Sequence, residues 1–151
     1  MQHNIQILPY TPAYKNTLMA ILQSNVPLYF HPTEIPLYES FLDRNEGNYF
    51  VICHEETIIG AGAIYIIEEG KTGALSWGFL QANYHYKGFG KALLAYRIQA
   101  LKAIPSVEKI IVKTSQLAYG FFEKNGFILQ SIIKDYWAPN MDLYEMLYIE
   151  Q

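Results

Sequence analysis

Two glycines and two lysines lie together where a strand-like run passes into a helix-like run, within residues 85–91. Glycine lets the backbone approach a ligand closely. The first turn of a helix leaves N–H groups without intrahelical acceptors and carries a partial positive charge, which suits a phosphate group. Lys87 and Lys91 add positive charge beside Gly88 and Gly90. The segment therefore predicts a phosphate-bearing ligand, although a tight turn without a ligand accounts equally well for Gly-Phe-Gly alone.

Two nucleotide-binding motifs do not fit this segment. A dinucleotide fingerprint needs glycine or alanine three residues after Gly90, where the chain has Leu93. A P-loop needs glycine five residues before the Gly-Lys pair and Ser or Thr after it, and those positions hold His85 and Ala92. Neither class of nucleotide-binding protein is indicated.

The segment resembles instead the acetyl-CoA motif of the GNAT superfamily of N-acetyltransferases, which reads Gln or Arg, two residues, Gly, one residue, then Gly or Ala. His85 occupies the first position of that pattern, and Gly88 and Gly90 occupy the glycine positions. About thirty residues later, residues 118–127 resemble the family's helix-four segment, after one intervening helix and one strand. The two motifs together are more specific than either alone, and the order of elements resembles the family over nearly the whole chain.

The resemblance implies acetyl-CoA as co-substrate, with the pantetheine arm bonding backbone groups near Phe79 and Leu80 and a backbone N–H polarising the acetyl carbonyl. The cofactor-binding residues that it implies are Phe79, Leu80, His85, Tyr86, Lys87, Gly88, Phe89, Gly90, Lys91, Phe122 and Lys124. Two of these depart from the family. His85 replaces the usual Gln or Arg, and Phe122 stands where many members carry a tyrosine that protonates the leaving thiolate.

Acetyl transfer to an alkyl amine needs a base, because the pKa of such an amine is about 10.4. We name Glu34 first and His31 second, since members of the family often shape the acceptor pocket from this region; an acidic residue in a helix first turn and a surface histidine are the simpler interpretations. For the acid we name Tyr119, three residues before Phe122 on nearly the same helix face, with a packing tyrosine as the alternative.

We expect direct transfer without a covalent enzyme intermediate. Cys53, the single cysteine, lies in an apolar run typical of a buried strand, which argues against a nucleophile and excludes an intrachain disulfide. No cysteine or histidine spacing indicates a metal site. Two alternatives stay open: a coenzyme A-binding sensor that has lost catalysis, which Phe122 favours, and a transferase that uses another acyl group or an oxygen nucleophile.

The charge distribution agrees with a bound anion near Gly88. The 151 residues carry a net charge of −3, which argues against nucleic-acid binding. Between Lys87 and Lys124, however, the chain has seven basic and two acidic residues, and elsewhere it has four basic and twelve acidic residues. Along the helix after Gly90, we expect Arg97 and Lys102 to lie on the solvent face. The acidic remainder weakly favours a cationic amine as acceptor, either a small molecule or a peptide.

At 51% apolar residues the chain can bury a core of its own, and its length predicts one domain over residues 1–151. The N-terminus lacks a secretion signal, and no apolar run approaches the roughly 20 residues of a membrane span. We therefore expect a cytoplasmic protein without membrane or nucleic-acid partners. The family resemblance leaves room for a homodimer through an exposed edge strand near the C-terminus.

Hydrophobic periodicity and turn residues predict the elements that position these residues. The predicted strands are 4–8, 49–53, 57–67, 73–81, 109–114, 127–136 and 143–149, and the predicted helices are 13–23, about 33–45, 88–103 and 117–125. Short connections between 49 and 81 predict an antiparallel meander, and alternating strands and helices after it predict parallel pairing. The fold class is α/β in the mixed α+β sense, with a single mixed, mostly antiparallel sheet of about six to seven strands and flanking helices. The resemblance adds a splay between the fourth and fifth strands.

Overall fold

The computed structural model describes residues 4–85 and 87–149, and these contain seven strands and four α-helices. In chain order they are β1 (Ile5–Pro9), α1 (Lys15–Ser24), α2 (Glu34–Arg44), β2 (Tyr49–His54), β3 (Thr57–Ile67), β4 (Thr72–Leu80), α3 (Phe89–Lys102), β5 (Lys109–Thr114), α4 (Tyr119–Lys124), β6 (Phe127–Ala138) and β7 (Met141–Tyr148). Every predicted strand and helix is present, and the observed ends lie within two residues of the predicted ones.

The strands form one mixed sheet in the order β1-β2-β3-β4-β5-β7-β6, which confirms the predicted fold class. The pairs β1–β2, β2–β3, β5–β7 and β6–β7 are antiparallel, and β4–β5 is parallel. The parallel register runs from Thr72↔Lys109 to Leu75↔Val112, whereas β4 continues to Leu80. The expected splay between the fourth and fifth strands is thus confirmed. The expectation of parallel pairing is correct for β4–β5. It is wrong for β5 and β6, which do not pair, because β7 lies between them and is antiparallel to both.

Contacts divide the described chain into two compact units. The first contains the described residues up to Ala63 together with Trp77–Arg97, and the second contains Ile64–Ser76 and the described residues from Ile98 onward. The single-domain organisation over residues 1–151 stays a prediction. Of the helices in the described ranges, none has both the length and the apolar character needed to cross a bilayer.

In the first unit, α2 presents the apolar face that its sequence spacing predicts. Tyr38, Phe41 and Leu42 are buried, three and four residues apart on one side of the helix. Asn45 then takes a left-handed φ of 45°, a conformation that asparagine adopts more readily than most residues, and the helix ends at Arg44. The buried face and the C-terminal end of α2 are therefore both explained by residues of the helix and its immediate neighbour.

The side chain of Tyr38 lies at the centre of an aromatic cluster in the first unit. Its ring centroid lies 5.1 Å from that of Trp77, 5.4 Å from that of Phe79, 6.1 Å from that of Tyr49 and 6.3 Å from that of Phe41. The arrangements include edge-to-face pairs, which the aromatic quadrupole favours. Rings from α2, β2 and the end of β4 are therefore held together by one cluster.

Arg97 corrects a sequence expectation. We expected it on the solvent face of α3, but only 4% of its surface is exposed, and its Nε and Nη2 atoms donate to the Ala63 carbonyl at 3.2 and 2.9 Å. Position 97 lies three residues after Leu94 and one before Ile98, so helical spacing places it on the buried stripe. Lys102, by contrast, is exposed as predicted.

The second unit contains the β6–β7 hairpin, with β6 at the edge of the sheet. Most side chains of β6 are exposed, including Ile128, Ile132, Ile133 and Tyr136, whereas Leu143 and Met146 of β7 are buried. An exposed edge strand near the C-terminus was predicted, and β6 is that strand.

Candidate active site

The connection from β4 to α3 forms the turn that the sequence predicts. Gly88 has a φ of 86°, in the left-handed region that glycine adopts without steric cost, and α3 begins at the next residue. The Ala92 N–H donates to the Gly88 carbonyl at 3.1 Å and closes the first turn of the helix. The N–H groups of residues 89–91 belong to that first turn, where a helix offers its own amides no acceptor. Such a turn is suited to an anion.

The two lysines of this turn are exposed at the start of α3. Lys87 Nζ lies 6.0 Å from the centroid of the Tyr84 ring, and Lys91 lies one helical turn further along. Both ammonium groups can therefore reach an anion in solvent without first breaking a buried contact. Tyr86, another predicted cofactor-binding residue, lies outside the described residues.

Three predicted cofactor-binding residues direct their side chains into the protein. The Phe89 ring is buried 5.0 Å from the His54 ring, and the Phe79 ring packs edge-on at 5.4 Å from the Tyr38 ring. Leu80 is also buried in an apolar cluster. The buried side chains of Leu80 and Phe89 therefore leave only their backbone to a cofactor, whereas Phe79 is half-buried.

The orientation of the Leu80 peptide follows from its neighbours. The Phe79 carbonyl oxygen lies so close to Gly60 of β3 that a Cβ built on Gly60 would be 2.3 Å from it. The Gln81 N–H donates to the Ile59 carbonyl of β3 at 2.7 Å. Because a trans peptide points its C=O and N–H in opposite directions, both the N–H and the C=O of Leu80 point away from β3. These two groups belong to the backbone that the resemblance assigns to the pantetheine arm.

The Leu80 carbonyl already accepts two donors, one of which the sequence did not suggest. Asn25 Nδ2 donates to it at 3.0 Å and also to the Ile21 carbonyl at 3.1 Å, and Asn25 is only 3% exposed. His85 Nε2 donates to the same Leu80 oxygen at 3.1 Å, and the His85 ring packs edge-on against Tyr29. His85 therefore holds the end of β4. No pattern in the sequence connects Asn25 with Leu80, since 55 residues separate them.

At the start of α2, the two candidate bases contact each other. The Glu34 carboxylate accepts the His31 backbone N–H at 2.9 Å, and burial raises the pKa of Glu34 while this hydrogen bond opposes the rise. Thr33 is the last residue before the helix, but its hydroxyl makes no capping bond and lies 2.9 Å from His31 Nδ1 instead. Glu34 thus hydrogen-bonds the segment that enters α2, and its carboxyl has a pKa raised by burial.

The second unit holds the remaining predicted residues on and beside α4. The Tyr119 hydroxyl donates to the Glu123 carboxylate at 2.5 Å, and this bond is the main cause of its raised pKa. The Phe122 ring packs 5.3 Å from the Phe127 ring and offers no proton. Lys124 is exposed in the last turn of the helix. Tyr119 is therefore protonated at neutral pH, with its proton directed at Glu123.

Comparison with protein families gives one match over most of the chain. The model of the Acetyltransferase (GNAT) family matches residues 17–127, which include β4, the Gly88 turn, α3 and α4. A search of curated proteins finds no significant match.

Solved structures of low sequence identity share the fold. Ard1 from Thermoplasma volcanium is 14% identical with a TM-score of 0.79, and the alignment covers 97% of this chain and 99% of that one. A ribosomal-protein-alanine N-acetyltransferase from Brucella melitensis is 19% identical with a TM-score of 0.75, covering 96% and 99%. N-acetylglutamate synthase from Neisseria gonorrhoeae, solved with coenzyme A and L-arginine, is 14% identical with a TM-score of 0.72, covering 97% of this chain and 34% of that one.

Proposed function

Because the chain belongs to the GNAT acetyltransferase family, we propose that it transfers the acetyl group of acetyl-CoA to a primary amine of a small molecule or a peptide. The observation that carries this proposal is the left-handed Gly88, which follows β4 and opens the fourteen-residue α3. It leaves first-turn amides and two exposed lysines beside one another, the chemistry that a pyrophosphate requires. The ribosomal alanine named in one structural neighbour supports an amine acceptor.

Acetyl-CoA would supply an acyl group activated as a thioester. The backbone N–H groups of residues 89–91 would bind its pyrophosphate, and Lys87 and Lys91 would add charge to that contact. The Leu80 N–H, which points away from β3, would donate to the acetyl carbonyl or the pantetheine arm. Since Asn25 and His85 already donate to the Leu80 carbonyl, we assign that oxygen a structural role. By resemblance, Phe122 and Lys124 complete the cofactor-binding set.

For the base we propose Glu34. Burial raises its pKa, so its carboxylate is a stronger base than an exposed one and can accept a proton from the ammonium form of the acceptor. His31 is the weaker candidate, because its Nδ1 accepts the Thr33 N–H at 3.2 Å and the proton of the neutral ring is then on Nε2. We propose no metal.

We propose direct transfer from the thioester to the amine. Cys53, the only cysteine in the sequence, is 5% exposed, and burial raises the pKa of its thiol. A buried thiol with a raised pKa forms little thiolate, and the thiolate is the nucleophile. Recovery of an acetyl-Cys53 species after incubation with acetyl-CoA would overturn this part of the proposal.

A coenzyme A-binding sensor without catalysis is the second candidate, and α4 is the observation that favours it. Phe122 has no proton to give, and Tyr119 donates its own to Glu123. Under the enzymatic proposal this loss is tolerable, because water can protonate a thiolate leaving group. We also propose a cytoplasmic location and leave a homodimer through β6 as a prediction.

The release of free thiol from acetyl-CoA across a panel of amines distinguishes the two candidates. The panel contains polyamines, amino acids, aminoglycosides and peptides with a free N-terminus. We expect thiol release that depends on one class of amine. Tight coenzyme A binding without such release from any amine would support the sensor, and faster reaction with a longer acyl chain would identify a different acyl donor.

The binding turn has its own test with a matched control. Gly88→Ala adds a side chain at a φ of 86°, and Gly47→Ala does the same at a φ of 83°, where nothing lies within 4 Å of the new Cβ. Both variants bear a similar backbone strain of roughly 1–2 kcal/mol. We expect the dissociation constant of acetyl-CoA to rise at least about tenfold in Gly88→Ala only. Equal affinities in the two variants would remove residues 85–91 from the binding site.

A further inference from the structure

Strand β4 contains a backbone conformation that its residue type disfavours. Trp77 has a φ of 45°, in the left-handed region where bulky side chains are rare. It lies two residues beyond Leu75, where the described register with β5 ends. A conformation of this kind persists only when the surrounding structure holds it, and it marks positions where geometry serves a function. We therefore ask which groups hold Trp77 in this conformation and what their function is.

Two buried hydroxyls hold the Trp77 peptide from one side. The Tyr49 hydroxyl donates to the Trp77 carbonyl at 2.9 Å, and the Tyr38 hydroxyl lies 2.7 Å from the Tyr49 oxygen. Since the single Tyr49 proton points at Trp77, Tyr38 is the donor to Tyr49. Tyr38 is 0% and Tyr49 4% exposed, and hydrogen bonds in such a low-dielectric interior strengthen one another. Burial also raises both phenol pKa values, so both donors stay protonated.

The buried guanidinium of Arg97 packs against Gly78, the residue after Trp77. A Cβ on Gly78 would be 2.9 Å from Arg97 Nη1, and a Cβ on Gly62 would be 2.6 Å from Arg97 Cζ. The guanidinium therefore lies flat against two positions that have no side chain, while it donates to the Ala63 carbonyl. Ala63 is the register partner of Tyr49, so both supports act at the same level of the sheet.

We propose that Tyr49, with Tyr38 and Arg97, is a positioning residue that holds the left-handed Trp77 and its peptide and thereby aims the Leu80 N–H at the thioester carbonyl. This inference rests on the proposed function, because it concerns the same carbonyl. Only Gly78 and Phe79 lie between Trp77 and Leu80, and the Phe79 carbonyl, which belongs to the same peptide as the Leu80 N–H, lies close to Gly60. The Gly60 contact is steric and limits this peptide on one side only, so the segment also needs the Tyr49 bond at Trp77 to fix the direction of the Leu80 N–H.

The test uses the full-length protein with acetyl-CoA labelled with ¹³C at the carbonyl carbon. The infrared band of this carbonyl moves to lower frequency when a donor binds its oxygen, so it reports the hydrogen bond that we assign to the Leu80 N–H. In Tyr49→Phe we expect at least half of the bound-state shift to be lost and kcat to fall about tenfold, while the dissociation constant of coenzyme A changes less than about twofold. A purely structural role would lower the melting temperature without moving the band.

Tyr10→Phe is the matched control, since the Tyr10 ring packs 5.8 Å from the Tyr49 ring. Among the described hydrogen bonds, none joins the Tyr10 hydroxyl to β4. The Tyr10→Phe variant should therefore leave the carbonyl band in its wild-type position. If Tyr49→Phe fails to fold, Tyr38→Phe carries the test: it keeps the bond to Trp77 and should lose a smaller part of the shift.

The outcomes separate this inference from the proposed function. If the wild-type protein shows no acetyl-CoA binding, both are overturned. If the wild type shows a shifted band that Tyr49→Phe, or Tyr38→Phe in its place, retains in full, the positioning role is overturned and the proposed function stands. Loss of the shift with unchanged coenzyme A affinity supports both.

Discussion

Replacing Gly60 with alanine is the most direct perturbation of the end of β4. The new Cβ would lie 2.3 Å from the Phe79 carbonyl oxygen, 2.6 Å from Leu80 Cδ2 and 3.0 Å from Leu80 Cα. The first and third of these are backbone atoms, which cannot rotate away. Since carbon contacts are comfortable only near about 3.5 Å, β3 and the end of β4 must separate by about 1 Å.

The displacement has two calculable consequences. Overpacking of this kind costs about 1–3 kcal/mol of folding free energy, which a protein of this size can survive. The same displacement moves the Leu80 N–H, and a misplacement of about 1 Å at a reacting group can cost about a hundredfold in rate. We therefore expect Gly60→Ala to fold, to unfold at lower urea concentration, and to lose far more activity than stability.

The assay compares urea unfolding, acetyl-CoA binding and thiol release for three proteins. Gly120→Ala is the control, because nothing lies within 4 Å of its added Cβ and alanine favours the α4 helix by up to about 1 kcal/mol. Its stability should rise slightly and its turnover should stay unchanged. A Gly60→Ala protein that folds and turns over at the wild-type rate would refute the reasoning that links β3 to the Leu80 amide.

Three further predictions follow from the site and its supports. Arg97→Ala should destabilise the protein by about 3 kcal/mol in urea unfolding, because it leaves a cavity and an unpaired Ala63 carbonyl. Glu34→Gln should gain stability relative to wild type as the pH rises from 4 to 7: folding raises the Glu34 pKa above 4.5, so the wild type loses stability as that carboxyl ionises and glutamine does not titrate. Lys87→Gln and Lys91→Gln should each weaken coenzyme A binding about two- to fivefold and reduce its salt dependence in calorimetry.

Each of these predictions has an opposing outcome, and those for Arg97 and for the two lysines also have a control variant. Lys102→Ala, on the exposed side of α3, should change the free energy of unfolding by no more than about 0.5 kcal/mol. An equal loss of stability in Lys102→Ala and Arg97→Ala would contradict a stabilising role for the buried Arg97 side chain. A constant stability difference between pH 4 and 7 would contradict the burial of Glu34. Lys134→Gln on β6 should leave coenzyme A affinity unchanged, so a similar effect there would indicate non-specific electrostatics.

Much of the fold follows from patterns that act over a few residues. The spacing of Tyr38, Phe41 and Leu42 predicts the buried face of α2, and the two glycines after β4 predict the start of α3. Such features depend on helix periodicity and on the φ angles open to glycine, which are local properties of the chain. They are readable before any contact between distant residues is known.

The hydrogen bonds that hold the end of β4 depend instead on contacts between residues far apart in the sequence. Asn25 reaches Leu80 across 55 residues, and Tyr49 reaches Trp77 across 28. Arg97 shows how far residue type can mislead: its charge predicts solvent, its helical position predicts the interior, and the glycines at 62 and 78 decide for the interior by leaving room for the guanidinium. No local pattern carries that information, because the glycines lie on two different strands.

The sequence by itself determined the elements, the order in which they occur and the turn at Gly88 that suits a phosphate. Local sterics and hydrophobic periodicity act within a few residues, so they can be read from the chain. Only the tertiary structure decided which backbone groups at the end of β4 are already bonded and which point outward. That outcome depends on the sheet, which brings β3 and the buried hydroxyls and amides of distant segments against one short stretch of strand, and so leaves the Leu80 N–H directed away from β3.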